Sequence, residues 1–184
     1  MPSAAAESEE IMNTLLKKAK RRDAQAFVAL MQENTKDMYK VAIAILSNDE
    51  DAADAIQDTI LTCWEKLTTL KQDEFFKSWL TRILINKCNS ILRKRRKLVP
   101  DDSMMDMQTG CECPGYQNAE WNEMLRCVDE KYRVILVLYY AEGFKIKEIS
   151  EILRESESAV KRRLVEARKQ MEQAYYPEKG RKRR

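Results

Sequence analysis

The chain has 184 residues, 44% of them hydrophobic, with four glycines, four prolines and no histidine. That composition predicts a folded all-helical protein rather than a disordered one, and the missing histidine excludes a Ser-His or Cys-His catalytic pair and histidine-liganded zinc. The net charge of +3 identifies no partner, so the placement of charge along the chain carries the information.

The N-terminus, MPSAAAESEE, is acidic where a signal peptide would be basic. The longest apolar run, Val134 to Ala141, has eight residues, far short of the ~20 that cross a bilayer. Both features place the chain in the cytoplasm, where the cysteines at 63, 88, 111, 113 and 127 are expected to be reduced. A first helix carries Ile11, Leu15 and Leu16, and a second carries Phe27, Leu30, Met31, Met38, Val41, Ala42 and Ile45. The third, within SNDEDAADAIQDTILTCWEKL, has Ser47 or Asn48 as its N-cap and acids in its first turn, where the helix dipole favours them. Its buried face is predicted to be Ala53, Ile56, Ile60, Cys63, Trp64 and Leu67. Asp54, Gln57, Asp58 and Leu61 form a second stripe that core packing does not explain. Such a stripe is most often a solvated acidic face, but Leu61 among the acids favours a protein contact.

The fourth helix lies in DEFFKSWLTRILINKCNSILRKRRK. Phe76, Leu80, Ile83, Leu84, Cys88, Ile91 and Leu92 are predicted to be buried, with Ser78, Arg82, Asn86, Asn89, Arg93 and Arg96 on the other side. From Arg82 to Lys97 there are seven Lys or Arg and no acid. Cations suit a helix C-terminus, but seven exceed that need, and Asn interleaved with Arg suits phosphates and base edges. Leu98 to Glu123 then holds six acids, no Lys or Arg, two of the prolines and two of the glycines, so it reads as a linker with helix resuming near Gln117. Cys111 and Cys113 in it have no spacing that fits a common zinc finger and read as loop cysteines.

In the second half a helix ends at Gly143, and a short helix with Ile146, Ile149, Ile152 and Leu153 follows. Ser156 caps a last helix whose Val160, Leu164 and Ala167 share one face. Lys161, Arg162 and Arg163 fan out over roughly 200° at the 3.6-residue period, so they cannot all serve one ion pair. A short helix, a tight turn and a basic helix make a helix-turn-helix. The expected organisation is two small helical domains, 1–97 and 118–176, joined by a flexible acidic linker, 98–117, with a basic tail, 177–184, that adds nonspecific phosphate affinity.

Taken together the segments resemble a bacterial RNA polymerase sigma factor of the sigma-70 family, in its extracytoplasmic-function branch. Asp54, Gln57, Asp58 and Trp64 match the pattern of the family's polymerase-binding helix. Phe76, Trp79, Leu80, Asn86 and the basic run Arg93 to Arg96 match the helix that melts and reads the minus-ten element. Glu148, Ile149, Ser156, Val160, Lys161, Arg163, Leu164, Ala167 and Arg168 match the reader of the minus-thirty-five element. The chain departs from the family at Lys145, where Ser is usual, at Arg154, where Gly is common, and at Ile85 and Ser90, where Arg and Asp are usual.

The resemblance implies an alternative sigma factor that catalyses nothing itself and needs no cofactor, metal or small-molecule substrate. Asp54, Gln57, Asp58 and Leu61 would dock on the basic clamp of the polymerase beta-prime subunit. Arg82, Asn86, Asn89, Arg93 and Arg96 would contact the minus-ten element. Ser156, Ser158, Lys161, Arg162 and Arg163 would contact the minus-thirty-five element. Core polymerase, promoter DNA and an anti-sigma factor are the implied partners. Two other readings stay open on the residues alone: a helix-turn-helix regulator that binds operators without polymerase, and a helical protein-interaction module whose basic runs are solvated.

Overall fold

The computed structural model of the chain describes residues 4–98 and 125–175. The linker expected around Asp101 to Gly115, the resumption of helix near Gln117, Cys111, Cys113 and the basic tail lie outside the described residues.

Helix α1 runs over Ala4–Lys20 and stops at Arg22, whose φ of 68° is left-handed. Asp23 caps α2 (Ala24–Leu46), its Oδ1 accepting the Ala26 N–H at 3.0 Å. Ser47 closes α2 in the left-handed region, and its N–H donates to the Ile43 carbonyl at 2.9 Å. Asn48 starts α3 (Asp49–Lys66), accepting the Asp51 N–H at 2.9 Å. Single 3-10 turns at Leu67–Thr69 and Asp73–Phe75 lead into α4 (Phe76–Leu98). Lys20 ties the end of α1 to this connection, donating to the Leu70 carbonyl at 2.8 Å and to Asp73 at 2.7 Å.

The second half begins with α5 (Glu130–Leu136), which widens into a π turn over Val137–Ala141 before Gly143 ends it at φ 71°. Helices α6 (Ile146–Leu153) and α7 (Glu157–Tyr175) complete the helix-turn-helix. No strand occurs among the described residues.

Helix α2 is the centre of the first half and packs against α1, α3 and α4. Leu30, Met38, Val41 and Ala42 on it are buried, as the 3.6-residue spacing predicts. Removing each such large aliphatic side chain from water contributes about 1.5–3 kcal/mol. In the second half Val160, Leu164 and Ala167 of α7 close over Ile135, Leu136 and Ile149. The two halves also meet, with α5 against α2 and α6 against α4, so one buried apolar cluster runs through both.

The core differs from the sequence pattern in three helices. In α3 it is Ala52 and Ala55 that are buried, with Ile56, Thr59 and Cys63, while Ala53 faces solvent. Alanines at 52, 53 and 55 fit two helical phases, and only contact with α2 and α4 selects one. In α1 the packing is made by Leu16 and Ala19, and Ile11 is 59% exposed. In α4 Ile85 joins the core at 5% exposure, whereas Ile83, Ile91 and Leu92 are half-buried. Ile85 is covered because α6 lies across that side of α4.

Cys63 and Cys88 are fully buried, as expected, and burial pushes both thiols up to about 12. Thiolate is the reactive form, so both should be inert in the folded protein. Maleimide labelling mapped by peptide mass spectrometry is expected to modify the exposed Cys127 under native conditions, and to modify Cys63 and Cys88 only in denaturant. Native labelling of either core cysteine would show that the α3–α4 contact opens locally. Leu84, fully buried in the same contact, should cost about 2–5 kcal/mol when changed to Ala, measured by urea unfolding.

Candidate nucleic-acid interface

On α4 the pattern's second face is presented outward. Asn86, Asn89, Arg93 and Arg96 are exposed, and Arg82 and Ser78 are half-buried. Two cations of the basic run lean back onto α3: Arg95 is ion-paired with Asp51, and Lys87 Nζ lies 3.8 Å from Asp58. At the start of α4, Trp79 is half-buried and stacks obliquely on Phe76, with ring centroids 6.3 Å apart, and Phe75 is exposed. Exposed aromatic faces beside Asn and Arg are what single-stranded bases need, since stacking contributes about 1–3 kcal/mol per base.

In the second half the turn into α7 is made without glycine. Arg154 takes φ 56° and ψ 42°, and its N–H and that of Glu155 both reach the Ser150 carbonyl. A left-handed residue with a Cβ costs about 1–2 kcal/mol, which this turn carries. At the other end of α6, Glu148 accepts the Lys145 N–H at 2.7 Å. An ammonium cannot accept the reciprocal bond that a serine would, so half of the capping box forms. Ser156 caps α7 as expected, its Oγ accepting the Ala159 N–H at 3.2 Å.

Val160, Leu164 and Ala167 hold α7 against the core and leave Ser158, Lys161 and Arg162 exposed with Ser156 on the outer surface. Arg163 is placed differently. It is half-buried, its Nη1 lies 2.5 Å from Glu155, and its guanidinium also donates to the Lys131 carbonyl. Gln170 adds a second tie between α7 and α5, donating to Asp129 and accepting its N–H, both at 2.9 Å. That hydrogen bond holds the Asp129 carboxyl below its ordinary range. Arg168, further along α7, donates to the Tyr140 hydroxyl at 2.6 Å and stacks over Tyr139 and Tyr140.

The α3 stripe is a surface too. Asp54, Gln57 and Asp58 are exposed, and Leu61 is 63% exposed. Trp64 is not part of that surface. It packs on Phe27 at 4.8 Å between centroids, with the Arg22 guanidinium over its ring.

One cluster has no signal in local sequence. Glu142, just past the π turn, has a side chain that is only 2% exposed. Its Oε2 lies 3.1 Å from Lys77 Nζ of α4 and its Oε1 3.6 Å from Lys40 Nζ of α2. Asp37 of α2 completes the group, 2.7 Å from Lys40 and 3.5 Å from Lys77. Burial pushes the Glu142 carboxyl up, and the Asp37 charge adds to that, against the opposing pull of the two lysines. Asp37 is held below its ordinary range: burial works against its ionisation, but the Lys40 hydrogen bond and both ammonium charges outweigh it. The cluster sits where the two halves meet, and a separate polar tie crosses the same contact, Arg133 Nη1 donating to Ser47 Oγ at 3.0 Å. Among the described residues no group of three or more His, Cys, Asp or Glu is arranged to hold a metal ion, and no helix is long and apolar enough to cross a membrane.

Comparison with known proteins bears on the whole arrangement. Residues 30–98 match the family described as sigma-70 region 2, and residues 119–171 match sigma-70, region 4. RNA polymerase sigma factor SigV of Bacillus subtilis is 30% identical over 155 residues, which span 84% of this chain and 93% of that protein. The ECF RNA polymerase sigma factor SigM of Mycobacterium tuberculosis is 28% identical over 149 residues, 79% of this chain and 75% of that one. Among solved structures, CnrH in complex with the cytosolic domain of CnrY has the same fold, with a TM-score of 0.65 at 23% identity, covering 91% of this chain and 99% of CnrH. The sigma factor RpoE of Bartonella quintana, in complex with the anti-sigma factor NepR, aligns with a TM-score of 0.60 at 23% identity over 77% of this chain and 93% of that one. With both regions in order, and 30% identity to SigV over most of both chains, the chain belongs to the sigma-70 family of RNA polymerase sigma factors, in the extracytoplasmic-function branch.

Proposed function

We propose that three exposed helix faces divide the work of this alternative sigma factor, which binds core RNA polymerase and directs it to promoters. The α3 stripe of Asp54, Gln57, Asp58 and Leu61 docks on the basic clamp of polymerase. The α4 face of Arg82, Asn86, Asn89, Arg93 and Arg96 engages the opened minus-ten element, with the Phe75 and Trp79 rings available to unstacked bases. On α7, Lys161 and Arg162 meet the minus-thirty-five element, with Ser156 and Ser158 near the backbone. Arg163 is better suited to orienting α7 than to holding phosphate, because its guanidinium is already spent on Glu155 and the Lys131 carbonyl. Residues 1–97 and 118–176 are the units that carry these two readings. The protein catalyses no reaction, needs no cofactor, and acts in the cytoplasm, with an anti-sigma factor as antagonist.

The observation that carries this reading is the side-by-side placement of an acidic stripe and a cation–asparagine face on α3 and α4, upstream of a helix-turn-helix. An operator-binding regulator needs only the last of these. Adding the protein to core polymerase on a promoter template tests the reading, and specific initiation at a fixed start site is expected. Operator binding with no effect on core polymerase would transfer the chain to the regulator class.

Asp58→Arg should weaken core polymerase binding with the fold intact. The change gives up only a 3.8 Å contact with Lys87, and an exposed pair of this kind contributes about 0–1 kcal/mol. At the interface it puts like charges together, which costs several kcal/mol. Pull-down affinity with the circular dichroism spectrum as control measures both parts, and unchanged affinity would remove this face from the interface.

Arg162→Ala should lose about 1–3 kcal/mol at one preferred base pair and relax specificity there, because a guanidinium grips guanine in a bidentate way. Lys161→Ala should weaken all promoters alike and flatten the salt dependence. Transcription from promoters varied through the minus-thirty-five element separates the two. A uniform loss with Arg162→Ala would reassign that residue to phosphate.

A further inference from the structure

The two promoter elements stand about 25 base pairs apart, about 85 Å along the duplex at 3.4 Å per base pair. A compact chain of 184 residues has a radius of gyration of about 16 Å. With α5 on α2 and α6 on α4, the halves are too close to read both elements at once. The described arrangement is therefore a closed state that must open for the function proposed above.

The contact that closes it is part apolar and part charged. Ile45, Ile85 and Leu92 from the first half and Val134, Ile152 and Leu153 from the second share the walls of a cavity of about 510 Å³. Asn86, Asn89 and Arg96 open into the same cavity, so the second half stands over part of the α4 reading face. At the other end of the contact is the Glu142 cluster. Its lysines and Asp37 all belong to the first half, and Glu142 alone comes from the second.

We propose that Glu142, buried between Lys40 and Lys77, keeps this closed state weak enough to be opened. A buried carboxylate is tolerated only if its charge and both oxygens are satisfied. Glu142 meets that condition in part. Oε2 contacts Lys77, which also stacks over Phe144, while the nearest cation to Oε1 is 3.6 Å away and Oε1 accepts no hydrogen bond among the described residues. Asp37 shares the same two lysines, so a second carboxylate competes for their charge. Losing water on closing costs the glutamate more than the lysines return.

The sign of the pH effect follows. The charged groups acting on Glu142 are Asp37 and Lys40 from α2 and Lys77 from α4. Closure raises the Glu142 carboxyl above its ordinary range, and opening returns it to water. The closed state thus binds the proton more tightly. Its stability is fully present below the ordinary glutamate value and falls as pH rises through the raised one. Asp37 opposes this in part: Lys40 and Lys77, which lower it, stay beside it when the second half leaves, but the hydrogen bond with Glu142 that also lowers it is lost.

The test uses the full chain without polymerase, so its failure is separate from failure of the sigma-factor reading, which the initiation assay decides. Dyes placed through Val28→Cys and Val165→Cys, both exposed positions on opposite halves, report closure by energy transfer, with Cys111, Cys113 and Cys127 changed to Ser. The expected result is a closed fraction that falls as pH rises above the ordinary glutamate value, by roughly tenfold in the closed-to-open ratio for each pH unit of upward displacement. Glu142→Gln keeps the shape and removes the charge, so it should close more tightly at neutral pH and lose this pH dependence. Lys77→Ala leaves the carboxylate less neutralised and should open the chain. A Glu142→Gln variant that opens would make Glu142 a clasp and overturn the proposal, as would a wild-type chain that is open at every pH or whose closure is flat with pH.

Discussion

Helix α2 touches α1, α3, α4 and α5, and both first-half surfaces with a proposed role, on α3 and α4, are fixed relative to it. Small residues make that possible. Ala42 and Ala44 on α2 and Ala52 and Ala55 on α3 are buried, and where side chains are that short two helices can approach closely. Larger neighbours such as Leu30, Leu84 and Leu67 then fill the space between them. Because interiors pack at crystal-like density, a shift of α3 or α4 on α2 would open voids that this small core cannot absorb. The acidic stripe and the reading face therefore keep a constant spacing, which a protein that bridges polymerase and DNA requires.

Charge is sorted onto these rigid faces. The carboxylate of α3 that turns furthest toward α4, Asp51, is used up locally on Arg95, while Asp58 keeps only a 3.8 Å contact with Lys87 and stays exposed. Fields of exposed charges fade over about 8 Å at physiological salt. An acidic surface and a basic one can thus lie on adjacent helices and still attract partners of opposite sign. The same logic explains why the net charge of +3 was uninformative: the opposing surfaces nearly cancel in the total.

Much of this was legible in the sequence because it is local. The caps at Asn48 and Ser156, the end at Gly143 and the α7 face of Val160, Leu164 and Ala167 depend on residues within a turn or two. The basic run of α4 was legible for the same reason. What escaped depends on contacts between distant segments. The choice of Ala52 over Ala53 needs α2 and α4, the burial of Ile85 needs α6, and the part taken by Arg163 needs a carbonyl at Lys131. Glu142 escaped most completely. At the end of a helix a glutamate looks solvated, and its burial is set by lysines from two helices of the other half.

The two reading surfaces differ in how they depend on closure. The orientation of α7 comes from within the second half, through its buried face, Arg163 on Glu155 and Lys131, and Gln170 on Asp129. Opening the chain leaves all of these in place, so Lys161 and Arg162 are presented in either state. On α4 the situation is reversed. Ile85 lines the cavity between the halves, and a side chain of that size contributes about 1.5–3 kcal/mol when fully removed from water. Where the family usually carries Arg, this chain thus has a residue that resists opening through its apolar surface, while Glu142 favours opening through its charge. The balance between this apolar contact, of which Ile85 is one part, and one carboxylate decides how readily the α4 face becomes available.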